Sequence, residues 1–398
     1  MMTTSRPSVE FIVLVALLNA MVAMSIDTML PAIGDIATEL GATDPNSRQY
    51  IITVFFAGLT LGMLVYGPWS DSIGRKPAIV AGLACYAVGA LICLAANSFP
   101  MMLAGRFIQG FGASSPRIVS IAMVRDGYAG PAMARVMSFV MMVFMLVPIV
   151  APSVGQLVLF VASWRAIFLG FLAMGLLAGA WLWLRQEETL PPEKRSPLSA
   201  PALLSSARQV IVHPVAMGYT LAIGCIFGSF ICYVGTSQQL FAVQYGQGKY
   251  FALWFALFAM AIAIAMMVNA RLVMKYGMRR LSSLALKGFL ALSLAFLAAG
   301  LVFHGHPPLW MLALYLFLNF FCSGLLFGNF NAIAMEPMGR IAGMAAAISG
   351  ALSSLLAILT GGIIGQFYDG TVLPLAAGFT GLGLLAFIFT EWAERRWT

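Results

Sequence analysis

The chain has 398 residues, of which 61% are hydrophobic and only 9% are charged, and its formal net charge is +8. Soluble domains carry about a quarter charged residues, so this composition excludes an ordinary soluble globular protein and indicates that most side chains face lipid. The basic residues lie between apolar segments, which argues against nucleic acid as the partner of the positive charge.

The apolar residues form twelve runs that are long enough for transmembrane helices, since a helix needs about 20 residues to cross the bilayer core. The predicted spans are 10–33, 47–66, 78–97, 100–123, 132–160, 164–184, 214–240, 249–271, 281–303, 308–333, 340–367 and 371–392. The first run is longer than the apolar core of a typical signal peptide, so we interpret it as a span. The runs are too long for tilted β-strands, and we expect an all-α membrane protein.

Lysine and arginine are unequally distributed between the two sets of loops. If both termini are cytoplasmic, 17 of the 22 basic residues lie on the cytoplasmic side; Arg48, Arg165 and Lys249 lie outside, and Arg106 and Arg117 lie within spans. An excess of Lys and Arg in cytoplasmic loops orients polytopic proteins. The sequence therefore predicts a multi-pass protein of the bacterial inner membrane with both termini in the cytoplasm.

The longest loop is rich in proline and separates six predicted spans from six others. It predicts an N-terminal six-helix bundle over 1–185, a cytoplasmic linker over 186–213 and a C-terminal six-helix bundle over 214–398. Within the linker, Leu203–Val212 is a candidate for a short helix on the membrane surface.

The two halves carry related loops. The segment Tyr66–Pro77 after the second span reads YGPWSDSIGRKP, and Asn269–Arg280 after the eighth reads NARLVMKYGMRR. Aligning Gly74 with Gly277 nearly aligns the basic pairs as well, at an offset of about 200 residues. Pseudo-symmetric six-helix repeats with a substrate site between them are an established transporter architecture, which we expect here.

The first of these loops resembles the G-x-x-x-D-x-x-G-R-K signature of the major facilitator superfamily. The matching positions are Gly67, Asp71, Gly74, Arg75 and Lys76. The fourth span is similar to the R-x-x-Q-G signature of the same superfamily, at Arg106, Gln109 and Gly110, and Arg125-Asp126 after it is also typical. The resemblance implies the major facilitator fold, with 12 transmembrane helices in two bundles.

Two further motifs resemble the bicyclomycin- and chloramphenicol-resistance-type drug:proton antiporters. Asp27 opens a D-x-x-x-P pattern in the first span, and Pro148, Pro152 and Gly155 in the fifth resemble the antiporter signature G-P-x-x-G, with Ala151 replacing its first glycine. The prolines are expected to bend this span, since each removes a backbone hydrogen bond. The resemblance implies proton-coupled multidrug efflux, of amphenicols or bicyclomycin-like compounds, by alternating access. A proton-coupled exporter or importer of a small metabolite such as a sugar is the alternative.

Asp27 is the only carboxylate deep inside a predicted span, where a charge costs about 2.5–3.5 kcal/mol on insertion scales. At 1.5 Å per residue, Asp27 and Arg106 lie at similar depths, about 6–9 Å below the outer surface, so they could pair or share a cavity. Burial favours a neutral carboxylic acid, whereas a nearby guanidinium favours the carboxylate. A substrate that displaces water or Arg106 would therefore change the protonation of Asp27, which predicts a proton-coupling site. A static structural ion pair is the alternative.

Other polar residues within predicted spans are candidates for the substrate cavity. Arg117 follows Arg106 by about three helical turns. It would either line the cavity, pair with a loop carboxylate, or extend to the cytoplasm. The remaining candidates carry amide or phenol groups: Gln109, Tyr233, Gln238, Asn319 and Asn329.

By the superfamily resemblance, the loop after the second span contributes to a gate. Its residues are Gly67, Asp71, Gly74, Arg75 and Lys76, together with Asp126 after the fourth span. In this interpretation Asp71 meets the N-terminus of the eleventh span, where the helix dipole favours an anion. A turn with solvated charges is the alternative.

The sequence gives no indication of an enzyme. All five cysteines lie in apolar runs without a C-x-x-C spacing, and no P-loop or HExxH motif occurs. We therefore expect no catalytic residue, no metal site and no cofactor. The expected partners are a small-molecule substrate, protons and the lipid bilayer, and one chain could supply the complete site, so we expect a monomer.

Overall fold

The computed structural model describes residues 8–195 and 200–396, and these residues are helical with turns and no β-strand. The helices, in chain order, are α1 Val9–Asp27, α2 Ile33–Glu39, α3 Tyr50–Ile73, α4 Arg75–Leu94, α5 Phe99–Gly127, α6 Gly130–Val161, α7 Arg165–Arg185, α8 Ala200–Val212, α9 Pro214–Gln238, α10 Phe251–Tyr276, α11 Met278–Val302, α12 Leu309–Met335, α13 Ala342–Gln366 and α14 Leu373–Arg395. Helix α8 covers the short helix predicted over 203–212, and the all-α prediction is confirmed.

Eleven helical segments of the described residues are long and apolar enough to cross a membrane, so the chain is a multi-pass membrane protein. The one predicted span outside these eleven is the fourth, 100–123, which is present as α5, but two arginines within it make it more polar than the others. Arg106 is 0% exposed, and α5 packs between α3 and α4. Charged side chains within spans face the bundle interior, so packing rather than hydropathy identifies α5 as a span.

The first span is longer than predicted and is interrupted. Helix α1 ends at Asp27, a 3₁₀ turn follows at Leu30–Ala32, and α2 continues to Glu39. The prediction of 10–33 stopped early because the second part is polar. Asp27 therefore lies at an internal break, 12 residues before Glu39, and its depth in the membrane stays a prediction.

The helices form two compact units, Met1–Ser199 and Ala200–Thr398, which divide within the predicted linker. In the first unit α1 packs on α6, α3 and α4 pack on α5, and α4 packs on α7. The second unit repeats this pattern: α9 packs on α13, α10 and α11 pack on α12, and α11 packs on α14. The same helix order with the same neighbours is what a duplicated six-helix bundle predicts.

The aligned glycines have the same backbone conformation. Gly74 joins α3 to α4 with φ 109° and ψ 160°, and Gly277 joins α10 to α11 with φ 76° and ψ 156°. Residues with a side chain rarely adopt this region. The structural equivalence of the two junctions supports the sequence alignment of the halves.

Candidate functional site

Asp27 is the last residue of α1, and it is only 5% exposed. In the part of the chain that the structure describes, its carboxyl group has no hydrogen-bonding or ion-pair partner. An isolated carboxylate in an apolar setting is costly unless it gains a proton, a counter-ion or water. Such a group is a functional candidate, because ionisable side chains within membrane spans are rare and typically mark proton or substrate pathways.

The D-x-x-x-P spacing explains why α1 ends at Asp27. Pro31 lies four residues later, where a helix would supply the N–H that bonds to the carbonyl of Asp27. Proline has no N–H, and the chain instead forms a tighter turn in which Ala32 donates to the carbonyl of Met29 at 2.9 Å. The side chain and the backbone carbonyl of Asp27 therefore lie together at a break in the first span.

The proline-containing segment of α6 packs on this break. A Cβ built on Gly155 would lie 1.7 Å from the carbonyl oxygen of Thr28, so only glycine permits the observed approach. One turn earlier, Ala151 is fully buried in a cluster with Ala20 and Ala23 of α1. The two antiporter-like motifs, in the first and fifth spans, thus form one interface. Helix α6 is continuous through both prolines, and the bend expected there stays a prediction.

Arg106 and Asp27 form no ion pair in the described residues. Arg106 donates from Nε to the carbonyl of Ile51 at 3.2 Å and from Nη1 to Gln109 Oε1 at 2.6 Å. Its guanidinium lies 4.2 Å from the ring centroid of Phe55. Arg106 Nη2 and Gln109 Nε2 are buried, and neither has a hydrogen-bond partner in the residues that the structure describes. The static ion pair considered from the sequence is therefore absent from this structure.

Arg117 contacts an aromatic ring rather than a loop carboxylate. Its guanidinium lies 5.8 Å from the centroid of Phe144 on α6, within the range of a cation–π interaction. No ion pair of Arg117 occurs among the described residues, so pairing with a loop carboxylate is not observed. The side chain is half-buried, on the same side of α5 as the helix that carries the proline motif.

The structure brings the central residues of the predicted gate together. Arg75 is 7% exposed and binds Asp126 at 2.7 Å, Asp71 at 2.5 Å and Ser70 at 2.8 Å. A mostly buried arginine between two carboxylates is unlike a turn with solvated charges. The contact of Asp71 with the eleventh span stays a prediction.

The other two gate candidates lie outside this ion cluster. Lys76 extends its Nζ to 5.0 Å from the ring centroid of Trp183. A Cβ on Gly67 would meet its nearest neighbour, Ile118, at 3.6 Å, which is ordinary van der Waals contact. The motif glycine at 67 is therefore not required by packing in this structure.

Glu188 is a residue of the same cluster that the sequence reasoning missed. Its carboxylate accepts the backbone N–H groups of Arg75 at 2.9 Å and Lys76 at 3.1 Å, and so caps the N-terminus of α4. A Cβ on Gly74 would lie 2.5 Å from Glu188 Oε2. In the sequence, Glu188 is marked only as a carboxylate shortly after the sixth span. It is 113 residues from Arg75, so no sequence motif contains both residues.

Comparison with known proteins assigns the family. A family model described as Major Facilitator Superfamily matches residues 14–361. This chain belongs to the major facilitator superfamily. It is 28% identical over 375 residues to a bicyclomycin resistance protein homolog of Haemophilus influenzae, covering 94% of this chain and 93% of that protein. It is 32% identical over 166 residues to multidrug resistance protein MdtL of Klebsiella pneumoniae, covering 42% of each.

A solved structure agrees with the fold of this major facilitator. The crystal structure of a D-xylose-proton symporter superposes with a TM-score of 0.76 over 96% of both chains, at 14% sequence identity. At that identity the likeness concerns the fold alone. The resemblance predicted from the motifs and the fold class are both confirmed.

The second half of this major facilitator has its own ion cluster, although its loop motif is degenerate. Arg279 binds Glu336 at 2.9 Å and Glu394 at 3.4 Å, and the hydroxyl of Tyr219 donates to Glu394 at 2.7 Å. Glu336 directly follows α12, and its counterpart Asp126 is the next-to-last residue of α5. Glu394 is the next-to-last residue of α14, and its counterpart Glu188 lies shortly after α7. The sequence analysis did not single out these residues, because the loop Asn269–Arg280 contains no Asp or Glu that could indicate an ion pair with Arg279.

Two predicted cavity residues of the second unit form hydrogen bonds between helices. Asn319 is fully buried and donates to Ser293 at 3.1 Å, which joins α12 to α11. Asn329 exchanges hydrogen bonds with Asn269 of α10, at 2.7 and 3.3 Å. Contact of either residue with substrate stays a prediction.

The remaining two candidates lie on α9. Tyr233 is buried among aromatic rings, with Phe320 at 4.8 Å and Phe255 at 5.8 Å between ring centroids. Gln238 ends the α-helical part of α9, where the chain continues as a π-helical turn at Gln239–Gln244, and is half-buried. π-helical turns are often found at functional sites, so this end of α9 is the better-supported candidate for substrate contact.

Proposed function

We propose that this protein is a proton-coupled drug exporter of the bacterial inner membrane, working as a monomer by alternating access. One observation carries the proposal: Asp27, a buried carboxyl group without a partner among the described residues, lies at a proline-induced helix break on which the second antiporter-like motif packs. The names of the relatives from Haemophilus influenzae and Klebsiella pneumoniae support drugs as the substrate class. The distribution of basic residues supports cytoplasmic termini.

The chemistry requires only a reversible proton on Asp27. The neutral acid is compatible with the apolar α1–α6 interface, whereas the carboxylate adds a charge that forms no ion pair within the described part of the chain. Arg106 is held by the carbonyl of Ile51 and by Gln109, so a change in the protonation of Asp27 does not require Arg106 to move first. The membrane potential contributes about 2.3 kcal/mol per charge per 100 mV to the exchange.

The test is a measurement of proton movement in inverted membrane vesicles with a pH-sensitive fluorophore. Amphenicols, bicyclomycin, lipophilic cations and sugars are added in turn to the wild type, to Asp27→Asn and to Asp35→Asn. Asp35 is an exposed carboxylate of α2, in the same span, and serves as the matched control. We expect a drug to release protons in the wild type and in Asp35→Asn, and no release in Asp27→Asn.

Three other results would change the proposal. A response to sugars alone would replace drug export with metabolite transport. Drug-dependent release that persists in Asp27→Asn would keep export and place the proton site elsewhere. Silence across the panel would leave the fold intact and remove drug export as the function.

A further inference from the structure

A buried hydrogen bond connects α1 to α4 close to Asp27. The hydroxyl of Ser25 donates to the carbonyl of Met21 at 2.6 Å. Because this uses the only hydroxyl proton of Ser25, the hydroxyl of Tyr86 is the donor in its 2.6 Å contact with Ser25 Oγ. Both side chains are fully buried. The bond therefore has a defined direction and lies in a buried environment.

Helix α5 contributes a second buried polar contact in the same unit. Gln109 Oε1 accepts from Arg106 Nη1 at 2.6 Å, and Gln109 Nε2 has no hydrogen-bond partner among the described residues. The Ser25–Tyr86 bond and the Gln109–Arg106 bond are therefore two separate contacts, and only the first involves α1.

The position of Ser25 on α1 fixes the direction of Asp27. Residues two apart on a helix point about 200° apart, so anchoring Ser25 to α4 directs Asp27 away from α4. Ala20 and Ala23 lie on the face of α1 that packs on α6. Asp27 follows them at the i, i+3, i+7 spacing of one helix face, so it lies on the same side of α1. The Ser25–Tyr86 bond therefore holds the rotation of α1 that places Asp27 at the proline motif.

We propose that Ser25 and Tyr86 are positioning residues for the proton-coupling site, which hold Asp27 toward α6. The inference rests on the proposed role of Asp27 in proton coupling. It assigns a function to two residues that neither the family-like motifs nor the polarity of the predicted spans singled out.

Few other ionisable groups are near enough to set the behaviour of Asp27. Of the helices packed against α1, α5 carries Arg106 and Arg117 at membrane depth, and neither binds Asp27. Helices α6 and α7 carry their basic side chains near their ends, at Arg135, Arg165 and Arg185. We therefore expect the rotation of α1, which sets the surroundings of Asp27, to influence the protonation of this carboxyl group.

The test is an infrared titration of purified protein in lipid nanodiscs. The carbonyl band of protonated Asp27 is identified as the band absent from Asp27→Asn, and its amplitude is followed against pH without substrate. Tyr86→Phe removes one hydroxyl and keeps the ring, and Ser25→Ala removes the other hydroxyl. Tyr315→Phe is the control, since it removes a buried tyrosine–serine contact in the second unit, to Ser293.

We expect Tyr86→Phe and Ser25→Ala each to shift the midpoint of the Asp27 band by about half a pH unit or more, and Tyr315→Phe to leave it unchanged. Lower thermal stability with an unchanged midpoint in both variants would mean that the bond is only structural, and would overturn the inference. If the wild-type band does not titrate, the coupling role of Asp27 fails as well. If it titrates but no drug releases protons, only the proposed substrate fails.

Discussion

The closest helix approach near Asp27 gives a sharp prediction for Gly155→Ala. The added Cβ would lie 1.7 Å from the carbonyl oxygen of Thr28, whereas non-bonded carbon contacts are stable at about 3.5 Å. Helices α1 and α6 would therefore have to separate by nearly 2 Å, beside Asp27. Overpacking of this kind costs about 1–3 kcal/mol. We expect a lower Tm in detergent and loss of drug-dependent proton release in vesicles.

Gly170→Ala is the matched control for this substitution. Gly170 lies in α7, and a Cβ there would meet nothing within 4 Å. Replacing a helical glycine by alanine in open space stabilises by about 0.5–1 kcal/mol, so Tm should stay equal or rise and transport should persist. Equal Tm and equal proton release in the two variants would refute the claim that α6 sets the geometry of the break.

Two further substitutions test the predicted gate. Arg75→Lys should reduce drug efflux several-fold at unchanged expression, because one ammonium group cannot replace a guanidinium that binds two carboxylates and a serine; efflux equal to wild type would contradict a gating role. Gly74→Ala should lower Tm, since its φ of 109° strains any side chain by about 1–3 kcal/mol, whereas Gly67→Ala should behave like wild type. Equal effects of the two glycine variants would contradict this distinction.

The number and type of the long helices were predictable, because lipid requires apolar runs of a set length. The ends of the helices were less predictable. Helix α5 reaches Gly127, and the first span reaches Glu39, both beyond the apolar runs. A helix can continue into polar surroundings because its backbone hydrogen bonds are internal, so hydropathy gives the membrane-embedded part and underestimates the whole.

The relation between Asp27 and Arg106 could not be predicted from depth alone. Counting residues places two side chains along the membrane normal and leaves the rotation of each helix undetermined. The structure directs Arg106 toward Ile51 of α3, and the face of α1 on which Asp27 lies packs on α6. The buried position of Asp27 could be anticipated from the sequence, because a lone carboxylate in an apolar run is rare, and its role in proton coupling stays a prediction.

The ion cluster of the second unit shows why sequence motifs identify only one of two related ion clusters. The backbone is kept, since Gly277 repeats the conformation of Gly74. The carboxylates that bind Arg279 come from the ends of α12 and α14, which are the counterparts of the elements that supply Asp126 and Glu188 to Arg75. A partly buried guanidinium requires nearby carboxylates but not at a fixed place in the sequence. The acidic residues can therefore occupy different sequence positions in the two halves. The glycine keeps its aligned position, Gly74 in one half and Gly277 in the other, because its positive φ disfavours residues with a side chain.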